Sequence, residues 1–291
     1  FKQFLHETEL DARQVLFIGD SWRADVAGAA LAGITSWHLS TGPAPASDLD
    51  AFIQNRLQLC KTAGEALGIS VLGPLATAYC RWLHERRAAH PDAKLYFLAR
   101  DMYLMRAVYA VLYPDEETEY LRVSRRSLAP AFFAAGDYAS VRAALPRQSL
   151  TGAQIAAYCG AVCPPELAVQ KFDLKAPDTA ELDIFLQKLP APENAEAVTA
   201  YLRQMGVREG DILVDIGSGG TTQLLLERLL GVQLHGLQLS ADERLRRRFD
   251  ETRTEVFLFG GQPAPRLYWA GQPMLERLIS EDVGATLGYR A

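Results

Sequence analysis

The sequence predicts an α/β chain in two parts: the C-terminal fragment of one parallel-sheet core, then a second α/β domain with a mostly parallel sheet and a helical insertion. Three observations carry this. An apolar run, Val15-Leu16-Phe17-Ile18, enters Gly19-Asp20 and is followed by a small-residue segment and a second apolar run over residues 34–39. The same strand–loop–helix order returns around Asp101 and around Asp215. With 291 residues, 49% of them hydrophobic, the chain is long enough for one large or two medium cores.

Taken in order, residues 1–6 read as the end of an amphipathic helix. Residues 15–18 read as a buried parallel strand turning into a loop. Residues 26–33 read as a helix stopped by Gly33, and residues 34–39 as the next strand. Asp20 therefore stands at the carboxyl end of a strand, where open α/β sheets bind ligands. Asp25 falls in the loop or the first helical turn, close enough to turn its carboxylate back towards Asp20. Two carboxylates at such an edge suit a hard cation such as Mg²⁺, which takes oxygen ligands and keeps several waters. The same spacing also allows Asp25 to cap the helix and Asp20 to satisfy backbone amides.

Residues 40–48 are rich in Ser, Pro, Gly and Ala, a linker composition. The expected division is therefore 1–42 for the first core, 43–62 for a linker and connecting helix, and 63–291 for the second domain. Residues 49–67 are helical in pattern, Leu72-Gly73-Pro74-Leu75 breaks the helix, and Pro74 opens the next one, which ends at His90-Pro91-Asp92. Residues 94–99 form a strand running into Arg100-Asp101 and a helix over 103–113. Residues 120–124 form a short strand followed by Arg125-Arg126. Mostly helices are expected from 128 to 195, then a helix closed by Gly206. A strand over 211–215 leads through Gly217, Gly219, Gly220, Thr221 and Thr222 into a helix over 223–230. Strands over 232–239 and 255–259 and a short helix over 275–279 complete the chain.

Carboxyl ends of parallel strands share one edge, so the loops at Arg100-Asp101, Arg125-Arg126 and Asp215 to Thr222 are placed to converge on one crevice. Arginines offer paired donors to phosphate or carboxylate. A Gly-rich turn before a helix offers backbone N–H groups and a favourable dipole to an anion. Together these describe a site for a small phosphorylated substrate, a sugar phosphate or a nucleotide-like molecule. Each piece also has a plainer reading: a local ion pair, a solvated arginine pair, or tight strand–helix packing. Glu276, Glu281 and Asp282 are within reach of that edge, although nothing in their spacing requires it.

Composition excludes several classes. A net charge of -5 gives no electrostatic reason for a nucleic-acid partner. No run of 18 apolar residues exists, so no membrane span is expected. Cys60, Cys80, Cys159 and Cys163 form no Cys-x-x-Cys and read as free thiols of a reducing cytoplasm. The five histidines are scattered and suggest no triad, and Ser124 and Ser218 lack an identifiable base.

Residues 18–33, with Gly-Asp-x-x-x-x-Asp followed by Gly-Ala and Ala-Gly, closely resemble the fourth motif of the haloacid dehalogenase (HAD) phosphohydrolase superfamily. The resemblance implies a Rossmann-like core and Mg²⁺ as cofactor. It makes Asp20 a direct or water-mediated ligand, Asp25 a second ligand or its orienting partner, and Ser21 a polar neighbour on the phosphate side. The family's aspartate nucleophile lies on an earlier strand, so it is expected ahead of Phe1, and this stretch alone is expected to be inactive as a phosphatase.

The loop Asp215-x-Gly217-x-Gly219-Gly220 resembles that of S-adenosylmethionine methyltransferases, with Asp242 at the ribose-binding distance. Residues 212–222 also resemble the ribose-phosphate loop of type I phosphoribosyltransferases. The fullest resemblance covers essentially the whole chain. Its landmarks are Leu72-Gly73-Pro74-Leu75, Phe97 to Asp101, Val123 to Arg126, Val214 to Gly217 and the closing Leu275 to Tyr289. In that order they look like the C-terminal half of predicted HAD-superfamily hydrolases of bacterial surface-polysaccharide loci. That resemblance implies a role in polysaccharide or sugar-phosphate metabolism and glycosyltransferases as partners; a non-catalytic scaffold or a transferase-like second domain are the alternatives.

Overall fold

A computed structural model describes residues 1–39, 47–175, 178–192 and 194–289. Most of the expected linker, residues 40–46, lies outside the described residues. The chain divides into two compact units, Phe1–Ala78 and Tyr79–Ala291.

In the first unit β1 (Leu16–Gly19) and β2 (Thr35–His38) pair in parallel, with Leu16 opposite Thr35 and Gly19 opposite His38. A five-residue π turn, Trp22–Val26, leads into the helix Ala27–Leu31. Val26, Ala29 and Ile34 are buried, but Leu16 is 56% and Ile18 54% exposed. The apolar run is thus a strand without being buried, because among the described residues β1 has β2 as its one sheet neighbour. The expected helix over 49–67 is two helices, Asp48–Leu57 and Ala63–Leu67. Thr62 restarts it: its Oγ1 accepts from Glu65 N (3.1 Å) while Glu65 Oε2 accepts from Lys61 N (2.6 Å). The expected break at 72–75 is a π turn, Gly68–Leu72, in which Gly73 N–H bonds Gly68 O. It runs into the helix Gly73–Arg87 with Pro74 in the first turn, where no N–H is missed.

The second unit is built on five parallel strands. In chain order the remaining strands are β3 (Leu95–Leu98), β4 (Thr118–Leu121), β5 (Ser149–Thr151), β6 (Lys171–Asp173), β7 (Ile212–Ser218), β8 (His235–Ala241) and β9 (Thr254–Val256). The main sheet runs β4-β3-β7-β8-β9, every pair parallel. The chain starts in the second position, steps outward to β4, then reverses across β3 to build the other half. This is a doubly wound order with its switch between β3 and β7.

Alternation along the strands feeds two layers. Tyr96, Leu98 and Leu213 join a core with Phe132, Phe133, Ile155, Phe185, Leu202, Leu225 and Leu226. These come from the helical insertion and from the helix Thr221–Leu230. Phe97, between Tyr96 and Leu98, instead meets Tyr109 of the helix Tyr103–Leu112, with ring centroids 5.7 Å apart. The insertion between β4 and β7 also carries a short antiparallel ladder, β5 with β6, that its sequence did not suggest. Each of those strands has three residues, too few for a readable period.

The entry of β7 is pinned by a buried charge. Asp211, fully buried, accepts from Lys94 N (2.9 Å) with Oδ1 and from Arg208 N (2.9 Å) with Oδ2. Ile212 N donates to Lys94 O (2.9 Å), so the carboxylate fixes β7 beside β3 at the side of the sheet opposite the loops. Asp211→Ala leaves two part-buried N–H groups without their acceptors and is expected to cost about 1–3 kcal/mol in urea unfolding of the chain. Asp211→Asn, which keeps one acceptor oxygen, is expected to cost less.

Candidate functional site

At the switch between β3 and β7 the carboxyl ends of the sheet enclose a cavity of about 380 Å³. Arg100 and Asp101 enter from the end of β3, Arg125 from beyond β4, and Asp215, Gly217, Gly220, Thr221 and Thr222 from the end of β7. Ile216 and Ser218 complete the β7 wall, Arg244 comes from beyond β8, and Glu276 from the helix Arg266–Ile279.

The β7 loop owes its shape to one glycine. Gly217 sits opposite Ser240 with φ 92°, and a Cβ there would fall 1.8 Å from Ser240 O. Only glycine tolerates both the positive φ and that backbone approach. Ser218 follows at φ 125°, a conformation L residues rarely adopt. Gly220, φ 64°, then turns the chain into the helix Thr221–Leu230; a Cβ there would meet Leu245 at 2.5 Å. The first turn of that helix lines the cavity, presenting N–H groups without intrahelical partners. Arg248 braces it from behind, donating to Gly219 O (2.5 Å) and Thr221 Oγ1 (2.7 Å).

Three carboxylates line the same space. Asp215 Oδ1 accepts from Ile216 N (2.8 Å). Burial, reinforced by the nearby Asp101, raises its pKa from 3.8 to about 7. Asp101 Oδ1 accepts from Ser280 Oγ (2.9 Å) and lies 3.6 Å from Arg100 Nε. Burial, and then the charge on Asp101, also pushes the Glu276 carboxyl up. Arg100 is tied to the C-terminal segment, which receives its Nη1 at Val283 O (3.2 Å) and gives Glu281 N to its carbonyl (3.1 Å).

Among the residues singled out in the second domain, Arg126 and Gly219 stand apart from this lining. Arg125 and Arg126 begin one helix, Arg125–Ala134, so their side chains diverge by roughly 100°. Arg126 lies over the Tyr158 ring, 5.1 Å from its centroid. Gly219 is buried behind the loop and holds Arg248 through its carbonyl. Asp242 caps the helix Glu243–Arg248, its two carboxylate oxygens accepting from Arg244 (2.6–2.9 Å). Arg244 itself was legible only as part of a basic run. Glu281 and Asp282 line a neighbouring hollow instead; Glu281 accepts from Tyr120 OH (3.0 Å) and pairs with Arg122 (3.2 Å).

The first unit carries a separate acidic loop after β1. Ser21 caps the π turn, its Oγ accepting from Ala24 N (3.1 Å). Asp25 folds back over Gly19: a Cβ on Gly19 would lie 2.4 Å from its carboxylate. Its Oδ2 accepts from Ser21 N (2.9 Å). Asp20 is exposed, and its carbonyl meets His38 Nε2 at 3.0 Å. Residues 1–66 match the HAD-hydrolase-like family. The matched stretch holds Asp20, Ser21 and Asp25, whereas every residue of the switch-point cavity lies beyond it. No curated protein matches the chain.

The HAD-like loop offers two carboxylates from one turn, which fits part of a Mg²⁺ shell completed by water and other oxygens. Among the described residues no cluster of three or more His, Cys, Asp or Glu could hold a metal ion. The described cysteines are free, and burial pushes Cys80 and Cys159 up to about 12, far from thiolate chemistry. No helix among the described residues is long and apolar enough to cross a membrane.

Asp215 makes stability depend on pH in a stated direction. Its folded pKa, about 7, exceeds its ordinary value of 3.8, so the folded state binds the extra proton between those limits and loses stability as pH rises through them. Asp215→Asn is expected to melt close to wild type at pH 4 and to be more stable by about 2 kcal/mol at pH 8. Thermal unfolding at the two pH values measures the difference.

Proposed function

We propose that the first unit is part of a Mg²⁺-dependent HAD-type phosphohydrolase acting on a phosphate monoester. The observation that carries this reading is the loop after β1, where Asp25 closes over Gly19 and takes the Ser21 N–H while Asp20 stands exposed at the strand end. The family match over residues 1–66 supports it. In this reading Asp20 supplies a ligand oxygen for Mg²⁺, and Asp25 either supplies a second or holds the loop that orients the first. Bound Mg²⁺ would shield phosphoryl charge from an attacking carboxylate. The His38 ring against the Asp20 carbonyl holds the loop to β2.

Sugar-phosphate or polysaccharide metabolism is proposed as the setting, with glycosyltransferases as partners, on the resemblance of the whole chain to the hydrolases of those loci. A second reading is favoured by the switch-point cavity: the larger unit is a binding, scaffold or transferase module with its own ligand.

Hydrolysis of p-nitrophenyl phosphate by the native protein is expected to require Mg²⁺ and to be abolished by EDTA. Asp20→Asn is expected to lower kcat/KM by about 100-fold. Full activity in that variant would remove Asp20 from the metal site.

A further inference from the structure

The cavity between the ends of β3 and β7 has a lining that selects among small molecules. Carboxylates only accept hydrogen bonds when ionised, so Asp101 and Glu276 call for hydroxyl or ammonium donors. Arginines and a helix N-terminus only donate, so Arg244 and the first turn of Thr221–Leu230 call for an anion. Arg100 and Arg125 also line the Asp101 side, but Arg100 is engaged there by Asp101 (3.6 Å) and by Val283 O (3.2 Å), whereas the helix end lies towards β8. Arg244 lies against Gly219, its Nε 3.2 Å from where a Cβ would stand, and so flanks the helix end. Asp101 is on the neighbouring strand, bonded to Ser280, and Glu276 is one turn earlier on the helix that Ser280 ends. Asp215, between them, holds a proton to about pH 7 and so can donate as well as accept at neutral pH.

The lining also excludes. Ile216 is its one large apolar side chain among the described residues, and no aromatic ring faces it. A nucleobase needs an aromatic or broad apolar face to stack on, and beyond Ile216 the described lining supplies none. A polyhydroxylated body needs only the polar partners present.

We propose that this cavity binds a sugar phosphate, with the phosphate at the helix end beside Arg244 and the sugar hydroxyls on Asp101, Asp215 and Glu276. The site lies wholly within Tyr79–Ala291 and stands apart from the metal reading of the first unit. Its test is therefore run without Mg²⁺, in EDTA, where failure of one reading leaves the other intact.

Isothermal titration calorimetry of the chain at pH 7 uses aldohexose 1-phosphates and 6-phosphates as probes, with free hexose, inorganic phosphate and uridine monophosphate as comparisons. At least one hexose phosphate is expected to bind at least about tenfold tighter than all three comparisons. Arg244→Ala and Glu276→Gln are each expected to weaken it by about tenfold or more. Arg244→Gln, which removes the charge and keeps most of the side chain, is the reserve variant if Arg244→Ala does not fold, with the same expectation. Absence of hexose-phosphate binding at millimolar concentration overturns the proposal. So does uridine monophosphate binding as tightly, or folded variants that bind like wild type.

Discussion

The contact on which the larger unit depends is the approach of two backbones at the ends of β7 and β8. Gly217 and Ser240 face each other there with no space for a side chain on the β7 side. Ser240 is also the junction of three elements. Its Oγ donates to Ile216 O (3.2 Å) and accepts from Tyr268 OH (2.9 Å), which lies on the helix Arg266–Ile279. The residue after it, Ala241, gives its carbonyl to Ala264 N (3.0 Å), just before that helix. One close approach thus sets the β7 loop, the end of β8 and the C-terminal helix that carries Glu276. Strand order does the rest, since a doubly wound sheet parts its connections between β3 and β7 and leaves a crevice there.

The charges in that crevice are arranged so that few are idle. Arg100 and Arg244 each have a carboxylate neighbour, Asp101 and Asp242, which lowers the cost of holding cations beside one another. Arg248 is pushed down, first by burial and then by Arg244, yet remains a cation and spends its guanidinium on the loop carbonyl and Thr221. Asp215 has no such cation in contact, and burial decides its titration. The result is a wall of mixed sign, with the helix end and Arg244 towards β8, and the acids with Arg100 and Arg125 towards β3 and β4. That polarity suits a ligand with one anionic end and a hydroxylated body better than a uniformly charged one.

Much of this was legible in the sequence, for physical reasons that differ by element. Central parallel strands are buried on both faces, so Leu95 to Leu98 and Ile212 to Val214 read as apolar runs, and each ended in the polar loop that the structure brings to one edge. Arg125 and Arg126 could not be told apart from spacing, because which of two adjacent helical residues faces the crevice depends on where the helix begins. Arg244 was hidden in the basic run 244–248, in which Arg246 and Arg247 pair with Glu251 and Glu243 and Arg248 braces the loop. Glu276 was placed by a 14-residue helix of which only the last turns were readable, since Pro273 interrupts the pattern without ending the helix. In the first unit the sequence placed Asp20 and Asp25 in the turn after β1, while the exposure of Leu16 and Ile18 was not legible, because it depends on what lies against the strand.

The account stands most directly on the Gly217 contact, and the stability of Gly217→Ala in urea measures it. An added methyl must push β7 and β8 apart at a positive φ, so the variant is expected to lose at least about 3 kcal/mol, or to lose the cooperative transition altogether. A cooperative transition within about 1 kcal/mol of wild type would contradict the account, because the two strand ends would then tolerate separation and could not be what shapes the cavity.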